Sequence, residues 1–174
     1  MPLLAPAQDH EIEEIAAFVN RAYRGDSSRA GWASEADMLG GQRTDAATMR
    51  EELSAPGATL LTFRDATAGP LLGCVWLEPL EDGAWYLGML TIDPQRQARQ
   101  LGRTLLAAAE AWTAERGGSH IRLTVIWLRE ELIAWYQRRG YALTGATEPF
   151  PYGDERFGIP NRDDLHFVVM EKAL

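Results

Sequence analysis

The sequence predicts an α/β (α+β) fold, a mixed and mostly antiparallel central sheet of about seven strands with helices on both faces. Three observations lead there. Segments of helical period alternate with strand-like apolar runs in the order β-α-α-β-β-β-α-β-α-β-β. The three central runs are separated only by the turn-rich stretches "DATAGP" and "LEDG", so they read as antiparallel hairpins. The passage from "YLGMLTID" through a long helix to "HIRLTVIW" is a crossover, which implies a right-handed parallel pair. No repeat or low-complexity linker divides the chain, so residues 1–174 read as one domain.

In order, "PLLAPAQ" reads as a short first strand. In "DHEIEEIAAFVNRAY", Ile12, Ile15, Ala16, Val19 and Tyr23 recur on one helical face, with Asp9 as the N-cap. "TDAATMREEL" is a second short helix, capped by Thr44 or Asp45. The strands "ATLLTFR", "LLGCVWLEPL" and "AWYLGMLTID" follow. The run through Leu101, Leu105, Leu106, Ala109 and Trp112 is helical until Gly117 and Gly118 close it. "HIRLTVIW" is a buried-type strand, and "REELIAWYQRR" a helix that ends at Gly140. "YALTGATEPF" and "LHFVVMEKAL" complete the sheet.

Composition excludes several functions. The 46% apolar and 24% charged fractions are those of an ordinary globular chain. A net charge of −8 argues against a general binder of nucleic acid or anionic membrane. Cys74 is the single cysteine, which excludes an intrachain disulfide and fits a reducing compartment. It lies mid-strand between apolar neighbours and reads as core. With no signal-peptide pattern and no membrane-length apolar run, a cytoplasmic location is expected. His10, His120 and His166 lie apart, without metal-ligand spacing, and no metal site is expected.

Against this acidic background, "PQRQARQLGR" brings Arg96, Arg99 and Arg103 together at the start of a helix. If Ala98 opens that helix, Arg99 and Arg103 share a face four residues apart, where like charges cost about 0.2–0.5 kcal/mol. The positive end of the helix dipole adds to the cost. An anion would reverse both terms, because first-turn N–H groups and guanidiniums would converge on it. A solvated arginine face satisfies the same pattern, and charge alone does not choose between the two. Neither GxxxxGK[ST] nor GxGxxG is present.

"LTIDPQRQARQLGRTLLAAAE" resembles the acyl-CoA-binding segment of the GCN5-related N-acetyltransferase (GNAT) superfamily. That segment carries Q/R-x-x-G-x-G/A after a strand ending hydrophobic-x-hydrophobic-x-Pro. Gln97, Arg99, Leu101 and Gly102 fit the loop, and Leu90, Ile92 and Pro94 fit the strand. Gln100 replaces the usual glycine, so the loop is expected to keep a backbone open to any residue, such as a helical first turn. "ELIAWYQRRGYAL" is similar to the second family signature through Tyr136, Gly140 and Tyr141, and the likeness extends over about Leu60 to Leu174.

The resemblance implies an acetyltransferase that uses acetyl-CoA as co-substrate and no metal. The cofactor segment would comprise Leu90, Thr91, Ile92, Gln97, Ala98, Arg99, Gln100, Leu101, Gly102 and Arg103. Backbone from Met89 to Ile92 would pair with pantetheine as an added strand, with an amide near Leu90 facing the acetyl oxygen. Tyr136 is the candidate general acid, since a phenol of pKa about 10 can hand a proton to a thiolate whose conjugate acid is near 8.5. Its helical position alone reads as a tyrosine packed into the core on the face of Leu132 and Trp135, and it is the resemblance that favours catalysis. Glu78, or water, would act as the general base.

Two long irregular segments, 24–43 and 145–164, are the expected acceptor walls. Trp32 and Tyr152 are the candidate substrate contacts, with Phe150 and Phe157 beside them. The acids of the second segment favour a cationic amine, either a small molecule or a peptide. The same aromatics would also suit a homodimer contact. Two other readings remain: a module that senses acyl-CoA without turnover, and an interaction domain that binds no cofactor.

Overall fold

The structure, a computed structural model, describes residues 2–24 and 38–174. In chain order the elements are β1 (Leu3–Pro6), α1 (Ile12–Arg24), β2 (Leu39–Gly40), α2 (Ala46–Leu53), β3 (Thr59–Arg64), β4 (Leu71–Pro79) and β5 (Ala84–Ile92). They continue as α3 (Leu101–Ala114), β6 (His120–Ile126), α4 (Glu130–Gln137), β7 (Ala142–Pro149), β8 (Ile159–Pro160) and β9 (His166–Ala173). The main sheet has the expected seven strands, in the order β1-β3-β4-β5-β6-β9-β7. Only β5 and β6 run parallel, and α3 is their crossover.

Helices cover both faces because the strands alternate. Leu60, Cys74, Trp76 and Met89 bury against Ile12, Ile15, Val19 and Met49 of α1 and α2. Leu61, Phe63, Val75, Leu77 and Leu87 bury on the other face, against Leu105, Leu106 and Ala109 of α3 and Tyr136 of α4. This is the period-2 pattern of a sheet with two covered sides. Gly73 lets the layers close up, since a Cβ there would lie 2.5 Å from the Thr91 carbonyl oxygen and 3.1 Å from the Leu105 side chain.

Local chemistry sets the helix ends. Asp45 accepts the Thr48 N–H at 2.7 Å and caps α2, one of the two expected caps. Asp9 does not cap α1. It lies in a 3-10 turn, Asp9–Glu11, that is entered from Gln8, whose N–H donates to the Glu11 carboxylate at 2.8 Å. After α4, Gly140 takes φ 96°, and the Tyr141 N–H returns to the Tyr136 carbonyl.

Two irregularities position the site. In β5, Gly88 pairs with Trp76 and Thr91 with Cys74, so Met89 and Leu90 together oppose Val75. Met89 takes φ 53°, which is unfavourable for a side chain of its size. This bulge reverses the alternation: Leu87, Leu90 and Ile92 all face α3, while Met89 faces α1. The second irregularity is that β5 pairs with β6 only over Ala84–Tyr86 with His120–Arg122. Beyond that point the strands diverge.

The two irregular segments meet in a small second sheet. β2 pairs with β8 through Leu39 with Pro160 and Gly40 with Ile159, and the Asn161 N–H donates to the Met38 carbonyl at 3.1 Å.

Candidate active site

The divergence of β5 and β6 leaves a cleft of about 220 Å³, lined by Tyr23, Gly88, Met89 and Leu90 on one side and by residues 123–126 on the other. Leu132 and Tyr136 of α4, with Arg129 just before that helix, close it. It shares Arg43, Tyr86, Gly88, Met89, Ile126 and Phe167 with an adjoining cavity of about 420 Å³. Leu39, Glu52, Trp76, Glu78 and Phe150 also line that second space. The bulge lies where the two join.

Tyr136 is buried, with its ring edge-on to those of Trp135 and Tyr141. Its hydroxyl has no hydrogen-bond partner among the described residues, and the residue borders the cleft. Burial above all holds the phenol above its ordinary pKa, with Tyr23 and Tyr86 adding to the effect and Arg129 opposing it. Tyr23 commits its own hydroxyl to the Leu90 carbonyl at 2.8 Å. The Leu90 carbonyl is therefore already occupied, while Thr91 and Ile92 are buried in register with Cys74 and Gly73.

Glu78, at the end of β4, stands opposite Tyr86 in register and borders the larger cavity, where Trp76 Nε1 donates to it at 3.4 Å. Glu52 of α2 borders the same cavity. Burial holds its carboxyl above the ordinary value, against the pull of Arg43 and Arg156. Tyr86 can lie across the cavity floor because position 88 is glycine, where a Cβ would come within 2.8 Å of its ring.

The arginine segment departs from expectation. Ala98 does not open the helix: Pro94–Arg99 form a 3-10 turn and α3 begins at Leu101. Gln100 joins them at φ 58°, ψ 21°, the left-handed conformation natural to glycine, and not a backbone open to any residue. Of Gln97, Ala98 and Arg99 only the backbone is described. Arg99 lies outside the helix that carries Arg103, so the two do not pair as helical neighbours. Arg96 is matched at home by Asp93, 3.6 Å away. The Gln100 side chain leaves the α3 N-terminus uncapped, while its carbonyl accepts the Thr104 N–H at 3.2 Å. Gly102 is buried and Arg103 exposed.

A third space, a groove of about 480 Å³, runs from Arg103 along α3 to Glu110 and is walled by Arg138, Arg139 and Lys172. Glu110 is engaged by Lys172 at 2.9 Å and by the Tyr141 hydroxyl at 3.0 Å. Arg139 lies over the Trp135 ring and donates to the Trp135 carbonyl, but its Nε is buried without a partner. Burial, with the like charges of Arg138 and Arg103, holds its pKa below the ordinary value. The groove is thus a basic trough in an acidic protein.

Trp32 lies outside the described residues. Tyr152 lines neither cavity: its hydroxyl donates to the Arg162 carbonyl and accepts the Leu165 N–H, both at 2.9 Å, and Phe150 takes the cavity position. Asp154 and Asp164 pair with Arg156 and Arg162, and Glu148, Glu155 and Asp163 carry the loop's net negative charge. Burial pushes the Cys74 thiol up to about 12, in keeping with a core residue. Among the described residues no cluster suited to a metal occurs, and no helix is long and apolar enough to cross a membrane.

Residues that sequence reading missed are Arg43, Glu52, Tyr86, Arg138 and Arg139. A signal existed for Glu52, which shares a helical face with buried Thr48 and Met49, an acid on the apolar side of α2.

The model of the Acetyltransferase (GNAT) family matches residues 30–141. The chain is 39% identical over 84 residues to the mycothiol acetyltransferase of Clavibacter sepedonicus, across 48% of this chain and 27% of that one. It therefore spans about a quarter of that relative's length. Among solved structures it is similar to a GNAT-family acetyltransferase from Staphylococcus aureus Mu50, with TM-score 0.69, 14% identity and coverage of 100% and 99% of the two chains. It is likewise similar to the ribosomal-protein-alanine N-acetyltransferase from Brucella melitensis, with TM-score 0.70, 18% identity and 99% of each chain covered. At those identities the structural likeness speaks for the fold. Together with the family match, it places the chain in the GNAT acetyltransferase family.

Proposed function

We propose that this chain is an N-acetyltransferase that moves the acetyl group of acetyl-CoA onto a primary amine by direct attack. The opening of β5 from β6 beside the Met89 bulge carries this reading, because it joins an unpaired strand edge, a buried phenol and an acceptor cavity at one point. The residues present fit acetyl-CoA in three places. The free edge of β5 suits the pantetheine arm as an added strand. The turn at Gln100 leads into an uncapped helix N-terminus suited to the diphosphate. The trough of Arg103, Arg138 and Arg139 suits a further phosphate group.

Acetyl-CoA supplies the thioester. In the transfer a bond forms from the amine nitrogen to the acetyl carbon and the carbon–sulfur bond breaks. The amine gives up one proton and the leaving sulfur takes one. Tyr136 donates the second proton; its raised pKa keeps it protonated throughout the working range. Glu78 receives the amine's proton directly or through water, and Glu52, its carboxyl raised by burial, stands beside it as a second acceptor. The bulge releases the Met89–Leu90 peptide from the ladder with β4, which frees an amide for the acetyl oxygen.

The test is thiol release from acetyl-CoA by the purified chain across a broad panel of amines. Release above background supports the transferase. Thermal stabilisation by acetyl-CoA without release from any amine replaces it with an acyl-CoA sensor, and no stabilisation at all leaves the interaction domain.

A further inference from the structure

Arg43 is held at the junction of the two cavities by its backbone. The Asn20 side chain of α1 accepts the Arg43 N–H at 2.7 Å and the Thr44 N–H at 3.0 Å, and donates to the Thr44 carbonyl at 2.8 Å. The guanidinium lies over the Tyr23 ring, 5.6 Å from its centroid, and borders both spaces. Arg50, Arg64, Arg122, Arg156 and Arg162 each hold a carboxylate, whereas Arg43 pairs with none among the described residues. Glu52 and Glu78 border the larger cavity with it without closing on it. One cation and two acids thus share a space whose other walls include Leu39, Trp76, Phe150 and Phe167.

An amine that reaches the thioester by way of the larger cavity comes alongside this guanidinium, which borders both spaces. A simple cation such as a polyamine meets like charge there. A carboxylate beside the amine turns that repulsion into a charge-assisted, bidentate contact. A peptide N-terminus lacks that carboxylate, because its first carbonyl is an amide. We propose that the acceptor is a free α-amino acid with an apolar or aromatic side chain. Its carboxylate rests on Arg43, its amine faces the Met89 bulge and the Glu78–Glu52 side, and its side chain fills the aromatic end of the cavity. About 420 Å³ accommodates one such molecule. The assignment rests on the transferase reading.

The test compares amines matched except for the carboxylate: phenylalanine against phenethylamine, leucine against isopentylamine, and spermidine as a polycation. With the wild-type chain, kcat/KM for the amino acids should exceed that of their decarboxylated partners by about 10- to 100-fold, the scale of one charge-assisted contact that the analogue lacks. Arg43→Met should bring that ratio close to unity and Arg43→Lys should retain part of it, with the KM for acetyl-CoA unchanged. The thermal midpoint should hold, because the Asn20 clamp uses backbone groups of Arg43. Equal or faster turnover of the decarboxylated amines, or a ratio indifferent to Arg43→Met, overturns the amino-acid assignment and leaves the transferase standing. The absence of thiol release with every amine overturns both.

Discussion

The Tyr23 hydroxyl of α1 donates a 2.8 Å hydrogen bond to the Leu90 carbonyl of β5, joining residues 67 positions apart in the chain. It anchors the first helix to the bulge around which the cleft is built. Tyr23→Phe leaves that carbonyl buried and unpaired, which should cost about 1–3 kcal/mol in urea unfolding. Turnover should fall by more than the stability loss explains, since the bulge loses its tether. Full activity at reduced stability would separate the bulge from catalysis.

Tyr136→Phe should lower kcat by about 100- to 10,000-fold, the usual range for losing a general acid. The KM for acetyl-CoA should hardly move. Equal loss in both, measured by steady-state kinetics, would mark a packing tyrosine.

Glu52 gives a pH signature. Its folded pKa lies above the ordinary 4.5, so between the two values the folded state binds more protons than the unfolded state. Stability therefore falls as pH rises through that window. Glu52→Gln should raise the unfolding midpoint at pH 7 relative to wild type, and the difference should vanish below pH 4.5. Calorimetry at both ends of the range decides it.

Gln100 occupies a left-handed backbone that costs an L-residue about 1–2 kcal/mol. Gln100→Gly should recover part of this, about 0.5–1 kcal/mol in urea unfolding after the flexibility of glycine is charged against it. Gln100→Val should lose stability. Acetyl-CoA affinity should be kept or improved by the glycine, as read by calorimetric titration.

Arg138→Ala should weaken acetyl-CoA binding about 10-fold and flatten its dependence on salt, because a charge-assisted contact is removed. The loss should be smaller for the analogue without the 3′-phosphate. Stability should hold or rise slightly as the repulsion from Arg139 is relieved.

The architecture was largely legible because it depends on periodicity. Apolar alternation and hairpin turns specify a seven-strand mixed sheet, and Asp45 before "AATMREEL" is an ordinary cap. The bulge was not legible: Met89 and Leu90 both sit in an unbroken apolar run, which reads the same whether or not the alternation slips. Gln100 misled for a related reason, since glutamine is a good helix former and only its tertiary position imposes a positive φ. The candidate phenol is read from the spacing of Tyr136, Gly140 and Tyr141, and Glu78 from its place at the end of the strand beside "YLGMLTID". Arg43, Arg138 and Arg139 became visible only when separate elements met in space, and Tyr152 looked like a pocket wall until its hydroxyl proved to staple its own loop.

Met89 is the one residue of β5 that the pairing with β4 does not need. Remove it and the ladder would run unbroken, with Leu90 opposite Val75, Thr91 opposite Cys74, and Leu90 and Ile92 still on the α3 layer. A chain lacking Met89 should therefore keep its fold by circular dichroism while losing the released peptide beside the cleft, so that thiol release falls although the sheet survives.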